Sequence, residues 1–338
     1  ASNHGTNNTE AVVEKSGEKN NKISNGKSIS VKASDTSSEK AVAGSVSVAT
    51  GQKAMATLGG AVSYNNIGNS AADKQHVTAK LSDTDITTAD AGTVNVLAEN
   101  NARLLNLALG GAVRAGSGSM GVSGQGSVAA TTLYSDTYAG MQNVTVSKDE
   151  KVSKKANVTV KADNQSQVTN SADAFAVSAG TEGQIAFGGA VSTIKSDADT
   201  RTELKQSQFT VDDLTAQAVS ANKTLNIGIG LSVGASGTSV GGSVAGNVAS
   251  NKIENDTTVS VDGVTVAADD TVAVLADSQE TMQNYGGAVS VGASGGGGGA
   301  AGGTTIVTNT ISGNTEANVS NSNITALGKG DGISVSEE

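Results

Sequence analysis

The chain of 338 residues contains no cysteine, no proline and no tryptophan, and its aromatic residues are four tyrosines and three phenylalanines. Without cysteine, the chain can form neither a disulfide framework nor a cysteine-ligated metal site. The absence of proline leaves any strand ladder uninterrupted, because every residue keeps a backbone N–H that can donate a hydrogen bond. So few bulky side chains cannot build a large globular core, and a thin core of small and β-branched residues is expected.

Basic residues are also scarce, since 22 Lys and Arg stand against 32 Asp and Glu and give a formal net charge of −10. The sequence has no basic stripe, so nucleic acid is not expected as a partner. No apolar run approaches the roughly 18 residues that a membrane-spanning helix needs, and we expect no signal peptide within this sequence. If the protein is exported, its targeting segment is expected to lie outside this sequence.

Glycine is abundant, at 43 residues, and much of it belongs to a repeated pattern. A V-x-A strand end recurs at Val31, Val96, Val160, Val219 and Val274, and its first two residues recur at Val335. An interval of about 60 residues is typical of a tandem array. We therefore predict that 1–338 is one continuous segment, with repeats at about 29–93, 94–157, 158–216, 217–271 and 272–332, the end of a preceding repeat at 1–28 and the start of another at 333–338.

Each repeat contains three strand-like segments separated by turn residues. In the last repeat these are Gly286–Gly295, Gly302–Thr315 and Asn323–Ala326. Short alternating runs of this kind predict strands, and no helical periodicity is sustained. We predict an all-β chain that forms a right-handed parallel β-helix (β-solenoid) of about 20 residues per coil, with super-repeats of about 60 residues.

The glycine run from Gly295 to Gly303 aligns with Gly116–Gly126 and Gly234–Gly242 in earlier repeats. We interpret it as a tight corner where small residues stack and glycine supplies a positive φ. A flexible linker is the alternative.

V-x-V-x-A strands, GGAVS-type strands and an N/D-T step together resemble the repeats of filamentous-haemagglutinin-like adhesins and of leukotoxin or autotransporter passengers. This resemblance implies a β-helical shaft that is secreted or displayed on the bacterial cell surface, with an outer-membrane translocator as a partner in the full-length protein. The expected function is the shaft of an adhesin that mediates or displays attachment to a protein or glycan receptor on a host or neighbouring cell. The alternatives are the shaft of a secreted toxin, of leukotoxin or contact-dependent type, and a β-helical enzyme acting on polysaccharide. End-to-end self-association is a further candidate interaction, because an uncapped β-helix end exposes unpaired backbone.

No catalytic, cofactor-binding or metal-binding residue is predicted, although three motifs match known sites in part. A G-x-G-x-x-G at 116–121 is followed by no predicted helix, and Gly26-Lys27-Ser28 lacks the first glycine of a phosphate loop. Gly292–Gly296 matches a nucleophile elbow, but only His4 and His76 could serve as its base. We expect these residues to serve the fold.

Four aspartate pairs could hold the two carboxyl groups of a glycosidase, and one could bind calcium. We expect solvated turn residues instead, at Asp83/Asp85, Asp197/Asp199, Asp212/Asp213 and Asp269/Asp270. The four tyrosines are expected to pack along a face of the solenoid, and exposure for contact with another molecule is the alternative. They are Tyr64, Tyr134, Tyr138 and Tyr285. Lys148–Lys155 is expected to be a protruding, charged turn.

Overall fold

The structure is a computed structural model and describes residues 1–15, 17–53, 55–117, 120–328 and 332–337. These residues form 23 strands and no helix, so the prediction of an all-β chain is confirmed. Nowhere in the described ranges is there a helix long and apolar enough to cross a membrane.

The strands follow one another in six successive levels, each corresponding to about one repeat of the sequence. The first level contains β1 (Ser2–Gly5), β2 (Thr9–Val13) and β3 (Asn21–Asp35), and the second contains β4 (Ser38–Thr50), β5 (Met55–Ile67) and β6 (Gln75–Asn100). The third contains β7 (Arg103–Gly116), β8 (Met120–Lys148) and β9 (Asn157–Asn164), and the fourth contains β10 (Gln167–Gly180), β11 (Gly183–Lys205), β12 (Gln208–Val211) and β13 (Leu214–Ser220). The fifth contains β14 (Lys223–Ser236), β15 (Gly241–Glu254), β16 (Thr257–Asp262), β17 (Thr265–Ala268) and β18 (Val272–Ser278), and the sixth contains β19 (Thr281–Ser294), β20 (Gly299–Ser312), β21 (Thr315–Ser320), β22 (Asn323–Ala326) and β23 (Ile333–Glu337).

Each strand pairs in parallel with its equivalent one level away. Gln167 is the register partner of Lys223, for example, and Thr9 is that of Val77, so partners lie a whole repeat apart along the chain. Coils of about 20 residues would instead pair residues about 20 positions apart. The predicted coil size is therefore wrong, because the segments of one repeat lie side by side around the cross-section and do not stack on one another.

The parallel pairings form five ladders, which we name A to E in chain order. Ladder A is a separate five-stranded sheet of β4, β7, β10, β14 and β19. Ladder B contains β1, β5, residues 120–133 of β8, residues 183–196 of β11, β15 and β20. Ladders C, D and E contain the remaining strands, and in the last level they end in β21, β22 and β23, respectively. Four long strands bend from one ladder into the next, and these are β3, β6, β8 and β11.

The valine of the V-x-A pattern occupies one register position of ladder E at every level but one. Val31, Val96 and Val160 are paired in succession, but the next partner is Ala216, which pairs in turn with Val274. The predicted equivalent, Val219, lies further along β13 and pairs with Asp163 and Asp277. Ala216, and not Val219, is therefore the register equivalent of Val160.

A row of left-handed residues makes the bend between ladders C and D. These residues have φ between 47° and 64°, and they are Asp83, Asn143, Gln206, Gly263 and Asn321. Asn, Asp and Gly are the residues that adopt this conformation most readily. Side chains also join neighbouring levels at this bend, since Asn143 Nδ2 donates to Asp83 Oδ1 at 2.7 Å.

The large apolar core lies between ladders C, D and E. Its buried side chains are mainly valine, and its bulkiest members are Leu81, Ile86, Met141, Leu204, Phe209 and Leu214. Ladders A and B pack on each other outside this core, and we call this two-layer part the fin.

Candidate functional site

The interior of the fin is so thin that backbone meets backbone across it. A Cβ atom added at Gly188 would overlap the carbonyl oxygen of Leu231, and one at Gly230 would overlap that of Gly246. Most other inward positions carry Ala, Ser or Asn. Stacked sheets usually lie roughly 10 Å apart because larger side chains separate them, and this fin has few of those. Glycine is required here by close approach and not by a positive φ.

A row of four asparagines cross-links the two layers where the fin joins the apolar core. They occupy one register position on ladder A in the last four levels, at Asn106, Asn170, Asn226 and Asn284. Each donates its Nδ2 hydrogens to backbone carbonyls of ladder B; for Asn170 these are Ala129 O at 3.0 Å and Thr193 O at 2.9 Å. The first three side chains are completely buried, whereas that of the last level is partly exposed.

Near the tip of the fin, Arg114 is 1% exposed. Its Nη1 donates to Gln184 Oε1, which also accepts from Ser178 Oγ at 2.9 Å. The absence of a side chain at Gly121 makes room for this guanidinium group. Neither Arg114 nor the asparagine row was predicted to have a role.

The glycine-rich corner is confirmed only for its first half. Residues 295–298 turn between β19 and β20, but Gly299 to Gly303 lie within β20. None of these glycines has a positive φ, so that part of the prediction is wrong. They stack closely, because a Cβ at Gly295 would lie 2.5 Å from the carbonyl oxygen of Gly237 one level below. The matching corner includes Gly118 and Ser119, which lie outside the described residues.

The outer face of ladder A carries an open apolar groove of about 620 Å³. It crosses four levels and is lined mainly by Val46, Leu109, Phe175, Ile229 and Leu231. Phe175 is 40% exposed and Val46 is 79% exposed. Contiguous exposed apolar surface of this kind is typical of interaction sites.

One carboxylate lies in this apolar groove. Asp173 lies between Leu109 and Ile229 of the neighbouring strands. Its Oδ2 accepts from Ser171 Oγ at 3.0 Å, while its buried Oδ1 has no hydrogen-bond partner among the described residues. Burial raises the pKa of this carboxyl group, and the hydrogen bond from Ser171 offsets part of the rise. A cation that enters the groove would favour the ionised form of this carboxyl group.

Most members of the predicted aspartate pairs are held by protein partners, and one pair, Asp197/Asp199, lines an open cavity of about 470 Å³. Asp197 and Asp199 both bind the ammonium group of Lys74, at 2.7 Å for Asp199. Asp269 pairs with Lys155 at 2.7 Å. Asp83, Asp85 and Asp213 accept hydrogen bonds from other residues of the protein. Asp212 and Asp270 lie at bends of the chain.

The bend between ladders D and E is acidic. Burial and the nearby charges of Asp213, Asp269 and Asp270 raise the pKa of Asp212. Among the described residues, no group of three or more His, Cys, Asp or Glu is arranged to hold a metal ion. Calcium binding at one of the pairs therefore has no further support.

The tyrosines divide between packing and exposure. Lys195 Nζ lies 5.1 Å from the ring centre of Tyr134, and Tyr138 Oη donates to Glu203 at 3.2 Å. Burial and the Glu203 charge raise the pKa of Tyr138. Tyr64 and Tyr285 are at least half exposed on the outer faces of ladders B and A.

The other predicted motifs are parts of strands and turns. Gly26-Lys27-Ser28 lies within β3, and Ser294 Oγ accepts from Gly297 N at 2.8 Å in the turn after β19. His4 bonds Asn66 and His76 faces Asp136, so neither histidine lies beside Ser294. Lys148–Lys155 includes the turn between β8 and β9, closed by Lys148 Nζ donating to Val152 O.

The outer face of ladder B is also apolar and contains a cavity of about 360 Å³. Most of its lining consists of glycine, valine and isoleucine residues from four adjacent levels.

Comparison of the chain with family models, with curated proteins and with solved structures gives no match.

Proposed function

We propose that the chain is part of a right-handed β-helical shaft with one coil of about 60 residues per level. The parallel pairing of every level with the next, as between Gln167 and Lys223 or Thr9 and Val77, supports this arrangement. In such a shaft each coil is stabilised mainly by its neighbours, so the structure can be extended without a new core.

The shaft belongs, in this proposal, to a secreted or surface-exposed bacterial adhesin that is exported through an outer-membrane translocator. The resemblance of the repeats to adhesin and passenger repeats supports this assignment. The observation that carries an attachment role is the groove on ladder A, because it exposes Phe175 and Val46 beside the carboxylate of Asp173.

The chemistry of the groove defines the kind of receptor it fits. Aliphatic and aromatic side chains favour an apolar group, and Asp173 favours an ammonium, guanidinium or other hydrogen-bond donor next to it. A lysine or arginine side chain flanked by aliphatic residues on a surface protein has both features.

Binding of the labelled chain to cultured epithelial cells tests this role. We expect saturable binding that falls at least about tenfold in affinity for Phe175→Ser, because a buried aromatic anchor contributes about 2 kcal/mol or more at many interfaces. Asp173→Asn is also expected to weaken binding of a cationic group. For the parent chain, binding should strengthen as pH rises through the raised pKa of Asp173, since the carboxylate then carries its charge.

Phe187→Ser is the matched control, because Phe187 is 47% exposed on the opposite face of the fin. At concentrations low enough for both to be monomeric, it should bind cells as the parent chain does. Failure of the parent chain to bind, or equal loss in both phenylalanine variants, would contradict attachment through the groove.

A further inference from the structure

Four glycines form a continuous row across the outer face of ladder B. Gly60, Gly126, Gly189 and Gly246 are paired in succession, and Thr304 completes the row at the last level. Glycine within a strand costs roughly 0.5–1 kcal/mol relative to alanine. Four stacked glycines are therefore an unfavourable choice for a sheet, unless the missing side chains serve another purpose.

The fold itself does not require these glycines. None has a positive φ. A Cβ added at Gly126, Gly189 or Gly246 would have no atom within 4 Å, and one at Gly60 would only approach Gly126 O at 3.9 Å. They differ in this from Gly188 and Gly230, whose missing side chains let the two layers of the fin meet. Glycine in a strand that faces open space marks a place where another molecule approaches closely.

We call this row of glycines, with Thr304 at its end, the trench. A ridge of branched side chains runs alongside the trench, two positions further along each strand. It consists of Val62, Val128, Val191, Val248 and Ile306, which are also paired in succession. All five are partly or well exposed. The trench and the ridge thus run parallel to each other over the same five levels.

We propose that a second copy of this chain packs on this face, with the ridge of each copy in the trench of the other. A two-fold axis parallel to the rows and midway between them would bring each ridge over the facing trench. The contact is then self-complementary, as a two-fold interface requires. Branched side chains that fit against glycine backbone would form a dry, interdigitated contact.

The area and the charge of this face of ladder B agree with the packing of a second copy. Seven residues at about 3.3 Å each and five levels at about 4.8 Å give a patch of roughly 500 Å² per copy. Two copies would bury about 1,000 Å², which is near the lower bound for a specific interface. Positions 58–64 and their partners on the other four levels carry no charged side chain on this face, so the net charge of −10 is not concentrated at the contact.

Analytical ultracentrifugation of the parent chain and of a Gly126→Thr, Gly189→Thr, Gly246→Thr variant tests the proposal. Threonine fills the trench, occurs naturally at Thr304, and suits a strand. We expect the parent chain to dimerise and the variant to dimerise at least about tenfold more weakly, the equivalent of about 1.4 kcal/mol. At concentrations at which both are monomeric, the melting temperature of the variant should equal or exceed that of the parent chain.

Two further variants separate this contact from other modes of association. Gly287→Thr is the matched control, since a Cβ there also meets no atom within 4 Å but faces outward on ladder A. It should dimerise as the parent chain does, whereas Val191→Lys, with a charge on the ridge, should not. A monomeric parent chain, or a triple variant that dimerises as strongly as Gly287→Thr, would overturn the proposal. Cell binding through the ladder A groove is measured separately and could fail or succeed independently.

Discussion

Replacing Asn170 by alanine is expected to lower the free energy of unfolding by about 2–3 kcal/mol, because hydrogen bonds worth about 1 kcal/mol each are lost. The Asn170 side chain is completely buried, and its Nδ2 group bonds Ala129 O and Thr193 O on two adjacent strands of ladder B. Alanine would leave a small void and remove the link between the layers of the fin. Urea unfolding followed by circular dichroism measures the change.

Two substitutions serve as comparisons for Asn170→Ala. Asn284→Ala should cost less, because the equivalent side chain in the last level is partly exposed and can exchange its hydrogen bonds with water. Asn170→Asp should cost more at neutral pH, since a carboxylate has no hydrogen to donate to the carbonyl groups it would face. An alanine variant as stable as the parent chain would show that the asparagine row does not hold the fin together.

Gly188→Ala is expected to destabilise the protein by about 3 kcal/mol, at the upper end of the usual cost of overpacking. The new Cβ would overlap the carbonyl oxygen of Leu231, which belongs to the backbone of ladder A and cannot rotate away. The two layers of the fin would have to separate locally, and the cross-links made by the asparagine row resist that movement.

The adjacent residue provides a control one position away along the same strand. At concentrations at which the chain is monomeric, Gly189→Ala should be neutral or stabilising by up to about 1 kcal/mol, because alanine is less flexible than glycine in the unfolded chain. Its Cβ would meet no atom within 4 Å. Thermal unfolding of both variants gives the comparison. Equal losses of stability at Gly188 and Gly189 would contradict the assigned inner and outer faces of ladder B.

The strand content and the period of about 60 residues were predictable, because alternating Val and Ala residues and recurring turn residues specify both. The number of strands that share one level was not. A repeat with three strand-like segments can stack those segments on one another or arrange them around a single cross-section, and the local pattern is the same in both cases. The choice depends on packing between distant strands, such as that between Gly188 and Leu231.

The candidate site was harder to predict for a similar reason. Each asparagine of the row is followed two positions later by a small residue, as in Asn106-Leu-Ala108 and Asn284-Tyr-Gly286, and this N-x-A/G signal could have identified the row. It is weak in a chain so rich in Asn, Ala and Gly. Gly188 and Gly189 are adjacent and identical in sequence, and only the register of β11 shows that one packs inward and the other faces solvent.

The most direct test of the one-level-per-repeat architecture is the oxidation of paired cysteines introduced into a chain that has none. Thr193 and Ser250 are register partners on adjacent strands although they belong to different repeats of the sequence. Neighbouring strands lie about 4.8 Å apart, within the Cα separation of about 4.4–6.8 Å that a disulfide allows. Thr193→Cys with Ser250→Cys should form an intramolecular disulfide under mild oxidation. Thr193→Cys with Asp213→Cys, which are separated by the length of one coil of about 20 residues, should not. A disulfide in the second variant and none in the first would contradict coils of about 60 residues and support coils of about 20.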